Sequence, residues 1–151
     1  MRHAVLLLAL ICACDALTFG QLCSSYPTNT PRTSDIHGQG HFGARRTYGS
    51  HEGIDITCND GDTVYAPFDL TVVRGLIVYS GGRNAAINKG IVIQASGLCF
   101  KLFYVDPVQT SGSLKKGDVL GTMMPMQEVY PGITSHVHVM LCDKTDPTGY
   151  F

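Results

Sequence analysis

The chain contains no tryptophan, and only 15% of its 151 residues are charged. The formal net charge is −1, so no global field gathers nucleic acid or an anionic membrane. No Asn-x-Ser/Thr acceptor exists, because the nearest candidate, Asn29-Thr30-Pro31, has proline at its third position. N-glycosylation is therefore not expected. A CxxC pair is also missing, which argues against a cysteine-rich zinc site. The longest N-terminal apolar run, Ala4 to Cys12, is too short to span a bilayer. Beyond it no window shows a helical apolar stripe.

What is present begins with that N-terminal segment. Arg2 supplies a positive head, the apolar run follows, and small residues including Cys14 and Ala16 come after it. This is the pattern of a secretory signal peptide cut after Ala16, with a buried helix as the poorer alternative. The expected organisation is a signal peptide over 1–16, a single domain over 17–151, and a secreted, extracellular product. Cys12 and Cys14 leave with the signal, and Cys23, Cys58, Cys99 and Cys142 remain. Four cysteines in an exported domain predict two disulfides, for which three connectivities exist.

From Gln21 to about Tyr48 the chain is rich in Ser, Thr, Pro, Gly and His without a sustained period, an irregular, loop-rich segment. After it, short runs such as GIDITC, LTVVRGLIVY, GIVIQA, CFKLFYV, VLGTMM and HVHVMLC alternate with Gly and Asn-Asp turn signals. Val, Ile, Thr, Tyr and Phe dominate these runs, and 17 glycines support the turns. The fold class predicted is all-β, an antiparallel sheet domain with little or no helix.

Two clusters carry candidate chemistry. In SHVHVM, His136 and His138 lie two apart, so a strand projects both imidazoles from one face while Val137 and Val139 face a core. In SHEGIDITC, His51, Gly53, Asp55 and Thr57 share a face, and the bare Gly53 leaves room between two ligands reaching for one ion. Two neutral imidazoles and a carboxylate are a common zinc set that keeps an open position. Either short pattern alone is more often a hydrogen-bonded surface residue than a ligand; the case rests on their occurring together. Asn59-Asp60-Gly61-Asp62 does not match a calcium loop and reads as a turn. His37 and His41 flank Gly-Gln-Gly before the first cluster and read as surface loop residues, with approach to a bound ion the weaker alternative. The basic pairs Arg45-Arg46 and Lys115-Lys116 read as solvated surface, with contact to a glycosaminoglycan or a bacterial surface the weaker reading.

HEGIDI followed some eighty residues later by HVHV resembles the zinc-binding core of the lysostaphin-type zinc endopeptidases, whose pattern is HxxxD and then HxH. GHFGARR, GDTVYAPFDLTVV and KKGDVLGTM resemble further segments of that family. The resemblance implies the lysostaphin-type peptidase fold, one zinc ion held by His51, Asp55 and His138, and a catalytic role for the position of His136. The family needs a second catalytic histidine in a Tyr-x-His-Leu segment. Here LFYVDP occupies that segment, and by position Asp106 stands where the histidine should be. An anion beside the ion would repel the negative charge that forms in the transition state, so the expectation is no peptidase activity and a vestigial His136.

The segments LCFKLFYV, VYPGITSHVH and SHVHVMLCDKTDPTGYF resemble, more closely still, a group of secreted vertebrate proteins on this fold. That resemblance implies a cytokine-like protein of innate immunity, chemotactic for neutrophils and other leukocytes through cell-surface receptors. It also implies the pairs Cys23–Cys58 and Cys99–Cys142. A third pair of the mammalian pattern is lost, Ser34 and Gln39 taking its positions. An active hydrolase of peptidoglycan or Gly-rich peptides and a non-hydrolytic cell-wall recognition protein stand as alternatives.

Overall fold

A computed structural model describes residues 16–151 of the protein. Thirteen strands follow in chain order: β1 Ser34–Asp35, β2 Gly38–Gln39, β3 Arg45–Arg46, β4 Gly49–Ser50, β5 Ile54–Thr57, β6 Thr63–Tyr65, β7 Leu70–Leu76, β8 Gly90–Ala95, β9 Leu98–Phe103, β10 Val105–Pro107, β11 Gly112–Leu114, β12 Val119–Met123 and β13 His136–Leu141. Apart from 3-10 turns, the described residues hold one helix, α1 Met126–Val129. None of their helices is long and apolar enough to cross a membrane. The all-β expectation thus describes this chain, whereas the signal segment lies, except for Ala16, outside the described residues.

A six-stranded antiparallel sheet in the order β11-β7-β8-β9-β13-β5 forms the main body, and β10-β12-β6 forms a second sheet. Strand alternation decides the core. Ile91, Ile93, Phe100, Leu102, Val137 and Val139 recur at every second position and are fully buried. They join Val64, Val105, Leu120 and Met123 of the second sheet in one apolar cluster. Full burial of each such side chain is worth about 1.5–3 kcal/mol. The intervening positions of β5, β9 and β13 put Asp55, Lys101, Phe103, His136, His138 and Met140 on the other face of the main sheet. Register then sets neighbours: His138 lies opposite Asp55 on one side and Phe103 on the other.

Ser96 and Gly97 both take positive φ, 49° and 76°, in the two-residue turn between β8 and β9. That is the twist such a hairpin requires, and glycine supplies half of it without strain. The irregular N-terminal segment is fastened by Cys23–Cys58, and β9 is fastened to the end of β13 by Cys99–Cys142. This is the one connectivity of three that the family resemblance implied. Ser34 and Gln39 stand directly opposite each other across the β1–β2 ladder, facing positions that hold no cysteine.

Candidate metal centre

His138 and Asp55 arrive on adjacent strands, but His51 does not share their strand. β5 begins only at Ile54, and His51 reaches the cluster from the segment after β4, where its backbone pairs with Gly43 and Ala44. The three side chains still converge. His51 Nε2 lies 2.9 Å from His138 Nδ1 and 3.1 Å from Asp55 Oδ1, and His138 Nδ1 lies 3.0 Å from the same oxygen. All three residues are buried.

The donor set fits a small cation. A tetrahedral zinc with bonds near 2.05 Å separates its ligand atoms by about 3.3 Å, so a few tenths of an ångström of opening would seat the ion. The protons point the same way. His51 Nδ1 lies 2.8 Å from the His41 carbonyl, which only accepts, so Nδ1 carries the proton and Nε2 presents a lone pair. That lone pair faces a carboxylate oxygen, and the single Nδ1 proton of His138 cannot serve both acceptors; a cation satisfies all three at once. The bond to His41 also orients the ring as second partners of metal-ligating histidines do. Gly53 completes the cradle, for a Cβ there would strike the Val139 carbonyl and come within 2.7 Å of His138 Cε1.

Arg32 is a site residue that no motif or spacing announces. It is buried, donates from Nη1 to Asp55 Oδ2 at 3.0 Å, and from Nε and Nη2 to Asp35 at 2.9 and 2.6 Å. Arg32 so fixes one oxygen of Asp55 and leaves the other for the cluster. Burial alone would raise the Asp55 carboxyl, but the bond from His138 and the adjoining His51 and His136 imidazoles outweigh it and hold it well below the usual carboxylate range. His136 is buried too. Its Nδ1 donates to the Thr134 carbonyl at 2.7 Å, which aims Nε2 at Asp55 Oδ2, 3.4 Å away, and burial lowers the pKa of its imidazole.

Asp106 requires a correction. It is half exposed, salt-bridged to Lys89 at 2.9 Å, and it does not line the pocket over the cluster. The reason is local: Tyr104, between β9 and β10, takes a φ of 70°, so alternation breaks there. Tyr104 turns inward instead, its ring 5.8 Å edge-on from His136, and Asp106 points to solvent. Tyr104, Tyr79 and Tyr130 form a phenolic wall, the Tyr79 hydroxyl lying 3.0 Å from that of Tyr104 and 3.5 Å from that of Tyr130. Burial pushes the Tyr104 phenol up to about 12. His37 also borders this cavity of about 560 Å³, bonded to the Pro131 carbonyl, while His41 contributes its carbonyl to His51.

Comparison with known proteins agrees with this geometry. The profile of peptidase family M23 matches residues 49–148, which include every residue of the cluster. Leukocyte cell-derived chemotaxin-2 of Mus musculus is 46% identical over 94% of this chain and 93% of its own length. The protein of the same name from Bos taurus is 44% identical over 97% and 95%. Among solved structures, Csd3 of Helicobacter pylori shares the fold with a TM-score of 0.56 at 17% identity, over 89% of this chain. The chain spans about a third of that structure, 35%. A cluster of two histidines and an aspartate on a peptidase-family sheet, with chemotaxin relatives along nearly its whole length, places this chain in peptidase family M23.

Proposed function

We propose that the chain is a secreted, cytokine-like protein that attracts neutrophils and other leukocytes by binding receptors on their surface. It holds one zinc ion at His51, Asp55 and His138 and cleaves no peptide bond. The observation that carries this reading is the second wall of the groove, where Tyr104 rather than an imidazole faces His136. The name and near full-length match of the relatives, the two disulfides and the leader pattern support the rest.

When bound, zinc supplies a polarising charge and an acidified water. Hydrolysis then needs groups that take up and return protons and steady an oxyanion. His136 provides one such group. Tyr104, its phenol pushed up by burial and its hydroxyl already paired with Tyr79, stands on the other wall in place of an imidazole. Losing one such group typically costs about 10²-fold or more in rate. The ion is left with a bracing role, tying the 41–55 segment to β13.

The test uses zinc-loaded protein on pentaglycine and on whole peptidoglycan, with leukocyte migration measured in parallel. The expected result is no new amine released, and migration that survives His136→Ala. Hydrolysis abolished by His136→Ala would overturn the reading. Retention on peptidoglycan without turnover and without migration would replace it with cell-wall recognition.

A further inference from the structure

The face that carries the cluster continues past it into a second depression, of about 520 Å³, on the side away from the phenolic wall. Phe103 and Met140 are among its lining residues, and Arg46, Lys101 and Lys144 bring three cations to it. Glu52 is its one carboxylate and is bound to Lys144 at 3.0 Å. Arg46 has no acidic partner among the described residues; its guanidinium touches only the carbonyls of Arg45 at 3.2 Å and Gln39 at 2.8 Å. No carboxylate among those residues lies within salt-bridge reach of Lys101 either. The depression therefore has a surplus of two positive charges on a chain whose formal net charge is −1. Tyr48, at its edge, is 97% exposed.

Two unneutralised cations close to an exposed phenol suit a peptide carrying carboxylates and an apolar side chain. A planar guanidinium accepts a carboxylate bidentately, an ammonium takes a second one as a point charge, and aromatic residues anchor protein contacts. A sulfated polysaccharide fits less well, because it calls for a long basic stripe and this chain is close to neutral. Arg46, His51, Phe103 and His138 border both depressions, so an extended segment entering on the cationic side runs on past the cluster.

We propose that this depression is a docking site for an acidic segment of a partner protein, its carboxylates on Arg46 and Lys101 and an apolar side chain against Tyr48. The site rests on the reading of the groove as one that binds and does not cut, and it gives the receptor contact a chemistry.

The probe is a fluorescein-labelled peptide, Gly-Glu-Tyr-Glu-Glu-Gly, titrated with zinc-loaded protein and followed by anisotropy at low and physiological salt. Its Gln-for-Glu counterpart and a heparin fragment serve as comparison ligands. The acidic peptide should bind, the Gln peptide should bind at least about tenfold more weakly, and R46Q/K101Q should cost a similar factor, equivalent to about 1.4 kcal/mol. Arg83→Gln, remote from the depression, should change nothing, and zinc affinity and Tm should be the same in all three proteins. Equal binding of the Glu and Gln peptides, or no binding of either, overturns the proposal. So does a heparin fragment that alone responds to R46Q/K101Q, which would assign the site to polysaccharide. Failure here with migration intact would leave the signalling reading standing; hydrolysis of pentaglycine would remove that reading whatever the peptide does.

Discussion

Along β5 and β13, every second residue does what a flat ladder demands: Val137 and Val139 enter the core, while Asp55, His136 and His138 meet above it. Along β9 the same alternation holds through Phe103 and then fails, because Tyr104 adopts a left-handed φ of 70° before β10 resumes at Val105. The first wall keeps a complete ligand set with its supports. The second presents three phenol hydroxyls. The donor cluster and the opposite wall of the groove are thus set by different strands.

The supports of the first wall should be the most fragile part. Gly53→Ala places a Cβ against the Val139 carbonyl and the His138 ring, neither of which can retreat from a packed sheet. The expected outcome is loss of zinc binding by calorimetry together with destabilisation of about 3 kcal/mol in urea unfolding. Wild-type zinc affinity in this variant would break the contrast at its strongest point.

Arg32→Met comes next. It leaves the buried Asp55 and the partly buried Asp35 without their cation, and removing one partner of a buried pair costs about 3–5 kcal/mol. Zinc binding should weaken as well, since Asp55 loses the bond that fixes its second oxygen. Thermal unfolding with and without chelator separates the two effects: the loss in Tm should persist in the chelated protein.

Asp35 gives the same wall a pH signature. Burial raises its carboxyl, but the bond from Arg32, the backbone amides of Thr134 and His37 and the Arg32 charge outweigh this and depress it well below the usual range. A depressed acid contributes stability that is fully present above its unfolded value, about 3.9, and is lost as pH falls through the lower folded value. Acid unfolding of the chelated protein should steepen below about pH 4, and Asp35→Asn should flatten that limb while lowering stability at neutral pH.

Strand periodicity and turn residues were enough to read the all-β class, the core positions and the joint projection of His136 and His138. The His-Asp-His cluster was legible because its spacings, HxxxD and HxH, survive as letters, although His51 reaches it from a loop and not from the strand face it was assigned to. Arg32 was not legible. It lies in a Ser-Thr-Pro stretch with no period, and its partnership with Asp55 spans 23 residues that only the tertiary fold brings together. The place of Tyr104 was missed for a different reason. A positive φ at a tyrosine is invisible to a pattern, and carrying over the family's Tyr-x-His-Leu segment by position put Asp106 beside the ion.

That difference between motif position and side-chain direction makes the mildest prediction the sharpest one. Asp106→His restores the letters of the family segment, Tyr-x-His, at the position sequence spacing selects. The side chain there is half exposed and exchanges only a surface pair with Lys89, a contact worth at most about 1 kcal/mol. Zinc affinity should be unchanged, Tm should move only slightly, and hydrolysis of pentaglycine should stay at background, because the new imidazole points to solvent while Tyr104 still faces His136. Hydrolysis appearing in this variant would mean that the chain straightens at residue 104 and that the two walls were never as different as their backbone angles make them.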